Sequence, residues 1–272
     1  MTEKVRVDLH GAPVTMLATL YAKALDAEAP TSILHDTWAV EVVDRIDYDW
    51  AATTMTQRNS PSVTLRSAHF DGWTRQFLAA HPEAVVVHLG CGLDSRFWRT
   101  QPRQGVDWFD VDFPEVAELR QKLYPATAGN HVIAASVTDP GLLDRVPADR
   151  PTLVLAEGLS MYLTRDDGLR LLRSVVQRFP SGEIQFDAFS RLGITTQWAN
   201  SVVRRSGATL SWGIDRPADI LDSVPKLLLL QWVPVFERTV FAAAPPRYRR
   251  LAVVLNRVPL MRTIAQFHRY AF

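Results

Sequence analysis

A single cysteine, Cys91, stands in 272 residues, which excludes an internal disulfide framework and, with no CxxC pair, a cysteine-built zinc site. Neither sign of charge is in excess. Thirty Lys and Arg against 29 Asp and Glu leave a formal +1, so the balance gives no footing for nucleic acid or an acidic membrane surface and points to a small substrate. Long apolar runs are also missing: "LLLLQWVPVF" (227–236) is half the ~20 residues of a membrane span. The opening "MTEKVRVDLHGAPVTMLATLY" carries charges and lacks the apolar core of a secretory leader, so a soluble, cytoplasmic protein is expected. No repeat or low-complexity segment occurs, and the one proline-rich spot is "AAAPPRY" (242–248).

Between residues 84 and 189, β-type apolar runs alternate with helical patterns. "AVVVHLG" (84–90), "VDWFDVD" (106–112), "HVIAASV" (131–137), "TLVLAEG" (152–158) and "EIQFDAF" (183–189) are expected to be strands, several of them apolar on successive residues as strands buried on both faces are. "PEVAELRQKLY" (114–124) starts a helix on Pro114, and "TRDDGLRLLRSVVQRF" (164–179) opens with a Thr164–Asp167 capping pattern. This alternation predicts an α/β fold with a doubly wound, mostly parallel sheet. Residues 10–80 and 191–226 read as helical, while 227–236 and the closing "FHRYAF" are candidates to add two strands at a sheet edge, Pro234 suiting only an edge or a bulge.

In such a sheet, ligands sit at the carboxyl ends of the strands where the order reverses. "VVHLGCGLDSRFWR" (86–99) ends a strand in Gly90 and Gly92, bare positions that let backbone approach a ligand. The third glycine of a dinucleotide loop is replaced by Ser95, and "RFWR" follows where a pyrophosphate wants a clean helix start. The second strand ends in "DVD", and Asp112, 22 residues after Gly90, can accept both hydroxyls of a ribose. Asp110 shares that face and is the alternative; Asp112 is preferred for its place at the strand end. A nucleoside without a diphosphate indicates S-adenosylmethionine.

These residues, with "WFDVDFPEVAELRQKLY", "LAEGLSMYL", "LYAKALDAEAPTSILHDTWA" (20–39), "RSAHFD" (66–71), "SGATLSWGID" (206–215) and the final "YAF", resemble the leucine carboxyl methyltransferase family, in particular its bacterial branch of polyketide-type O-methyltransferases. The resemblance implies a seven-stranded class I methyltransferase sheet over residues 81–272. A helical lid would be formed by residues 1–80 and an insertion at about 191–226. It places Lys23 and Arg66 on the carboxylate of the cofactor's methionine part, where a buried anion needs cationic donors. Gly90 and Gly92 would line the methionine and ribose, Asp112 the ribose hydroxyls, and Glu157 the α-ammonium. Ser136 and Val137 would lie beside the adenine. Where the family has an acid for the adenine amino group this chain has Ser136, an uncharged acceptor, with Asp139 as a substitute if the loop is shifted.

The expected activity is O-methylation of a small acceptor, foremost a carboxylate, which is ionised at neutral pH and needs no general base. A phenol or alcohol would need one, and His10, His35 and His69 are the candidates. Tyr21, Tyr162, Trp198 and Trp212 are candidates to border the acceptor. No metal, nucleic-acid or membrane partner is expected. The rival readings are an NAD(P)-dependent oxidoreductase and a cofactor-binding homologue that transfers no methyl group.

Overall fold

In the computed structural model, residues 4–7, 12–199, 203–204 and 207–272 are described; His10 and part of the 191–226 segment lie outside them. Two short parallel strands, β1 (Val5–Arg6) and β2 (Ile46–Asp47), precede the main sheet. Its strands are β3 (Val85–Leu89), β4 (Asp107–Asp112), β5 (Asn130–Ala134), β6 (Thr152–Ala156), β7 (Gly182–Phe189), β8 (Leu228–Pro234) and β9 (Ala265–Ala271). They are ordered β5-β4-β3-β6-β7-β9-β8. The first five are mutually parallel, and β9 runs antiparallel between β7 and β8. The α/β, seven-stranded, mostly parallel sheet expected from the sequence is therefore present.

All residues of β3 and β6 are buried, which accounts for their unbroken apolar runs. Their side chains divide with period two. Val85, Val87 and Leu89 join Val154 and Ile184 in one core, while Val86 joins Trp108, Leu153 and Leu155 in the other. Helix α1 (Ala12–Ala27), α2 (Thr37–Arg45) and α3 (Pro61–Ala80) come before the sheet, and α1 packs with α2, Leu93 and α5 (Pro114–Leu123) through Met16, Leu17 and Leu20. Pro114 occupies the first turn of α5. The Thr164 side chain caps α6 (Arg165–Arg178) by accepting from the Asp167 N–H at 3.1 Å.

Two boundaries differ from the sequence reading in ways that matter. β5 ends at Ala134 and β6 at Ala156, so Ser136, Val137 and Glu157 sit in loops beyond the strands. β9 and β8 are the two strands expected at a sheet edge, with β8 outermost and Pro234 closing it, where a missing N–H costs the ladder little.

Three of the aromatic candidates lie away from the cavity. Trp212 is buried under α6, its ring filling the space that a side chain at Gly168 would need, with a Cβ there only 1.9 Å from the ring. Tyr21 stacks on Trp50 with centroids 5.2 Å apart. Trp198 is 70% exposed. None of the three lines the cavity described next.

Candidate active site

β3 has β4 on one side and β6 on the other, so the strand order reverses at its carboxyl end. There Gly90 (φ 60°) and Gly92 (φ 52°) take left-handed backbone conformations that side chains disfavour. Neighbours press on them too: a Cβ at Gly90 would lie 3.2 Å from Leu159, and one at Gly92 2.9 Å from Met16 of α1. The loop is held from β4. The Gly92 N–H donates to one Asp112 oxygen at 2.7 Å, and the Phe113 N–H to the other at 2.8 Å. Each oxygen keeps acceptor capacity. Burial raises the Asp112 pKa, only partly offset by these two donors.

Asp110 has a different fate. It is fully buried and accepts from Arg120 at 2.6 Å, Asn130 at 2.8 Å and the Trp108 indole at 2.9 Å. Burial disfavours its charge, but Arg120, His88 and Asn130 outweigh that and hold its pKa at about 2. Asp110 is thus tied into the core, and Asp112 alone of the pair lines the cavity.

Beside the loop lies a buried ionic cage. Lys23 of α1 meets Asp94 at 3.1 Å. Arg66 of α3 uses Nε on Glu157 at 2.9 Å and Nη1 on Asp187 at 3.0 Å. Arg96, fully buried, reaches Asp71 at 2.7 Å, Asp94 at 3.4 Å and Glu157. Arg99 joins Asp36, Asp71 and Asp94 at 2.7 to 2.9 Å. Glu157 also accepts from the Ser67 hydroxyl at 2.8 Å. Burial opposes its charge, yet Arg96 and Arg66 hold its carboxyl well below the usual range. Asp187 goes the other way: burial raises its pKa despite Arg66.

One cavity of about 750 Å³ joins these parts. It brings together Lys23, Arg66, Gly90, Gly92, Asp112, Ser136, Val137, Glu157 and Tyr162. Met55, Val63, Leu65, Phe236, Phe241 and Phe267 give it an apolar lobe, Leu65, Phe241 and Phe267 belonging to one hydrophobic cluster. Asp94 and Asp187 also line it, though the sequence reading assigned neither a role; Asp94 lies within the singled-out glycine stretch, and Asp187 is brought in by the end of β7. Asp139 does not line it, because its carboxylate accepts from the Ser136 N–H at 2.9 Å and caps that loop. Tyr162 reaches Thr15 of α1 with its hydroxyl 3.4 Å away.

The two histidines of the amino-terminal region that are described stand outside the cavity. His35 takes a left-handed φ of 57° in a turn, and His69 is wedged edge-on against Trp73 at 4.4 Å. Burial and then Arg269 lower the His69 pKa to about 4. The unfolded chain, with a value near 6.5, takes up protons first, so the stability this residue contributes is complete above pH ~6.5 and declines as pH falls toward 4. His69→Phe should remove that decline. Urea unfolding should show the wild type losing about 2 kcal/mol more than the variant between pH 7.5 and pH 5, with S-adenosylmethionine binding unchanged.

The site also decides against a dinucleotide. Ser95, at the third-glycine position, is buried with its hydroxyl on Asp36, and Asp36 and Asp94 crowd the start of α4 (Arg96–Thr100). Paired with Arg99 and Lys23, these side chains fill the start of the helix that a pyrophosphate would need open. What remains is a left-handed glycine turn, a free-edged acid at the end of the second parallel strand and a cage for a zwitterion. These fit the nucleoside and amino-acid parts of S-adenosylmethionine.

Sheet order, antiparallel β9 and this loop define a class I S-adenosylmethionine-dependent methyltransferase. The profile of the leucine carboxyl methyltransferase family matches residues 16–176, and the chain belongs to that family. It is 40% identical over 272 residues, the whole of both chains, to the tetracenomycin polyketide synthesis O-methyltransferase TcmP of Streptomyces glaucescens. It is 36% identical to the S-adenosyl-L-methionine-dependent methyltransferase dpfgK of Gibberella zeae, covering 83% of each chain. The plantazolicin methyltransferase BamL, solved with SAH and a triazolic desmethylPZN analogue, shares the fold with a TM-score of 0.52 at 11% identity, covering 94% of this chain and 97% of the other.

Proposed function

We propose that this enzyme is an O-methyltransferase that esterifies the carboxyl group of a small, largely apolar acid of polyketide type. The observation that carries the reading is the end-to-end 40% identity to TcmP, in a chain whose cavity pairs a polar nucleoside end with an apolar lobe.

Within that reading Lys23 and Arg66 take the cofactor's carboxylate; Arg66 has Nη2 left over after Glu157 and Asp187. Gly90 and Gly92 bring backbone to the methionine and ribose, Asp112 accepts the ribose hydroxyls, and Ser136 with Val137 borders the adenine. Glu157, already bonded to Arg66, Ser67 and Arg96, sets negative potential behind the α-ammonium. The cofactor supplies an electrophilic methyl group on a sulfonium. The protein's part is alignment and exclusion of water, worth up to ~7–11 kcal/mol. The amino-terminal helices serve as the lid, α1 placing Met16 over Gly92 and Thr15 against Tyr162; from 191–226 Val203 reaches the cavity, whereas Trp212, Ile214 and Ile220 belong to the core beside the sheet. A carboxylate acceptor is ionised at neutral pH and asks no proton acceptor of the site.

Incubation with S-adenosylmethionine and a panel of aromatic carboxylic acids and matched phenols tests this by mass. Acids should gain one methyl group as a base-labile ester. Products from phenols alone would overturn the carboxylate assignment. Cofactor binding by calorimetry with no methylated product from any acceptor would favour the non-transferring homologue.

A further inference from the structure

The chain's near-neutral charge conceals a polarity. From Arg238 to Phe272 there are seven arginines and no Asp or Glu, so the overall +1 is +7 here set against −6 in residues 1–237. The helix Pro246–Asn256 and the short helix Pro259–Arg262 after it carry four of these arginines, with Arg257 in the link between them, and across 246–262 only Ala252 is buried. Interleaved with the arginines, Leu251, Val253, Val254, Val258 and Leu260 stand 43–69% exposed. Isolated exposed apolar residues are ordinary, but five within ten residues form a patch that marks an interaction surface.

Its position ties it to the cavity. Segment 235–244 supplies Val235, Phe236, Val240 and Phe241 to the apolar lobe, and the helix follows at once, Tyr248 packing on the cluster that contains Val240 and Phe267.

We propose that this helix pair is a docking surface for an anionic lipid bilayer, which sets the apolar lobe beside the phase where an apolar acceptor dissolves. A basic helix with exposed Leu and Val has the two components of interfacial binding, charge attraction and shallow apolar insertion. A second copy of the chain suits it poorly. Arg247, Arg249 and Arg250 lie at one end and Arg257 and Arg262 at the other, so a two-fold pairing in either direction sets like charges together. An acidic protein would answer the arginines and leave the apolar residues without a reason.

The test is sedimentation of the full chain with vesicles of phosphatidylcholine alone and of phosphatidylcholine with one-third phosphatidylglycerol. The wild type should pellet with the anionic vesicles, stay in solution with the neutral ones, and be released by molar salt. Two double variants, Arg249→Glu with Arg250→Glu and Leu251→Ser with Val254→Ser, should each lower partitioning roughly tenfold or more. All four residues are exposed and none lines the cavity, so S-adenosylmethionine binding should be unchanged. Failure to pellet, equal binding to neutral vesicles, or wild-type binding by either variant would overturn the proposal. These outcomes do not depend on which acceptor is methylated.

Discussion

Arg96→Met should lower the unfolding free energy by about 3–5 kcal/mol. The methionine approximates the buried stem but leaves Asp71, Asp94 and Glu157 without the guanidinium that spans them. Arg66, Arg99 and Lys23 still touch those acids, so the fold is weakened and not abolished. The pH dependence follows the same pairs. Asp71, Asp94 and Glu157 are all held below their ordinary values because their cationic neighbours outweigh burial. Their contribution is therefore complete above pH ~4 and lost as pH falls below it. Without Arg96 the carboxyl values rise, and the acid unfolding midpoint should move toward neutrality. Urea unfolding at pH 7.5 checks the first statement and acid titration of both proteins from pH 6 downward the second; an unchanged urea midpoint and an unchanged acid midpoint would remove Arg96 from the energetics.

Arg66→Ala should raise the dissociation constant for S-adenosylmethionine by about thirtyfold or more, the scale for truncating one partner of a buried hydrogen-bonded charge pair. Part of that change is indirect, since Glu157 and Asp187 both lose their bond to Arg66 and repel each other. Arg66→Lys separates the effects. A lysine restores one positive charge among the acids without the planar fork, so stability should recover while affinity stays well below the wild type. Calorimetry of both variants beside their thermal unfolding reads this directly. Full recovery of affinity in Arg66→Lys would show that charge alone serves the site.

The sheet was legible because its strands are short, apolar on successive residues and separated by helices with clear starts at Pro114 and Thr164. The order of the last two strands at the sheet edge was not, since an antiparallel strand inserted between β7 and β8 has the same local pattern as an outermost strand. The cavity gathers Lys23, Arg66, Gly90, Gly92, Asp112, Ser136, Val137, Glu157 and Tyr162, positions that periodicity alone would leave as surface charges and turns. Choosing Asp112 over Asp110 took the strand end into account, but the stronger reason is Arg120 and Asn130, which arrive from other elements. The aromatics failed for a like reason: a tryptophan suits a core as well as a pocket. Gly168 was the available clue, a glycine inside a helix that otherwise favours larger residues, and its explanation is the ring of Trp212.

The insertion of β9 also constrains the order of folding. Among the described residues β8 has β9 as its only neighbour in the sheet, and β9 is made thirty residues later in the chain. A nascent chain that has completed β8 therefore carries a strand rich in exposed leucines with nothing to pair it, and long-range closure of this kind is slow. The half of the sheet that holds the glycine turn can assemble first; the half that walls the apolar lobe waits for Phe267 and Tyr270 to dock.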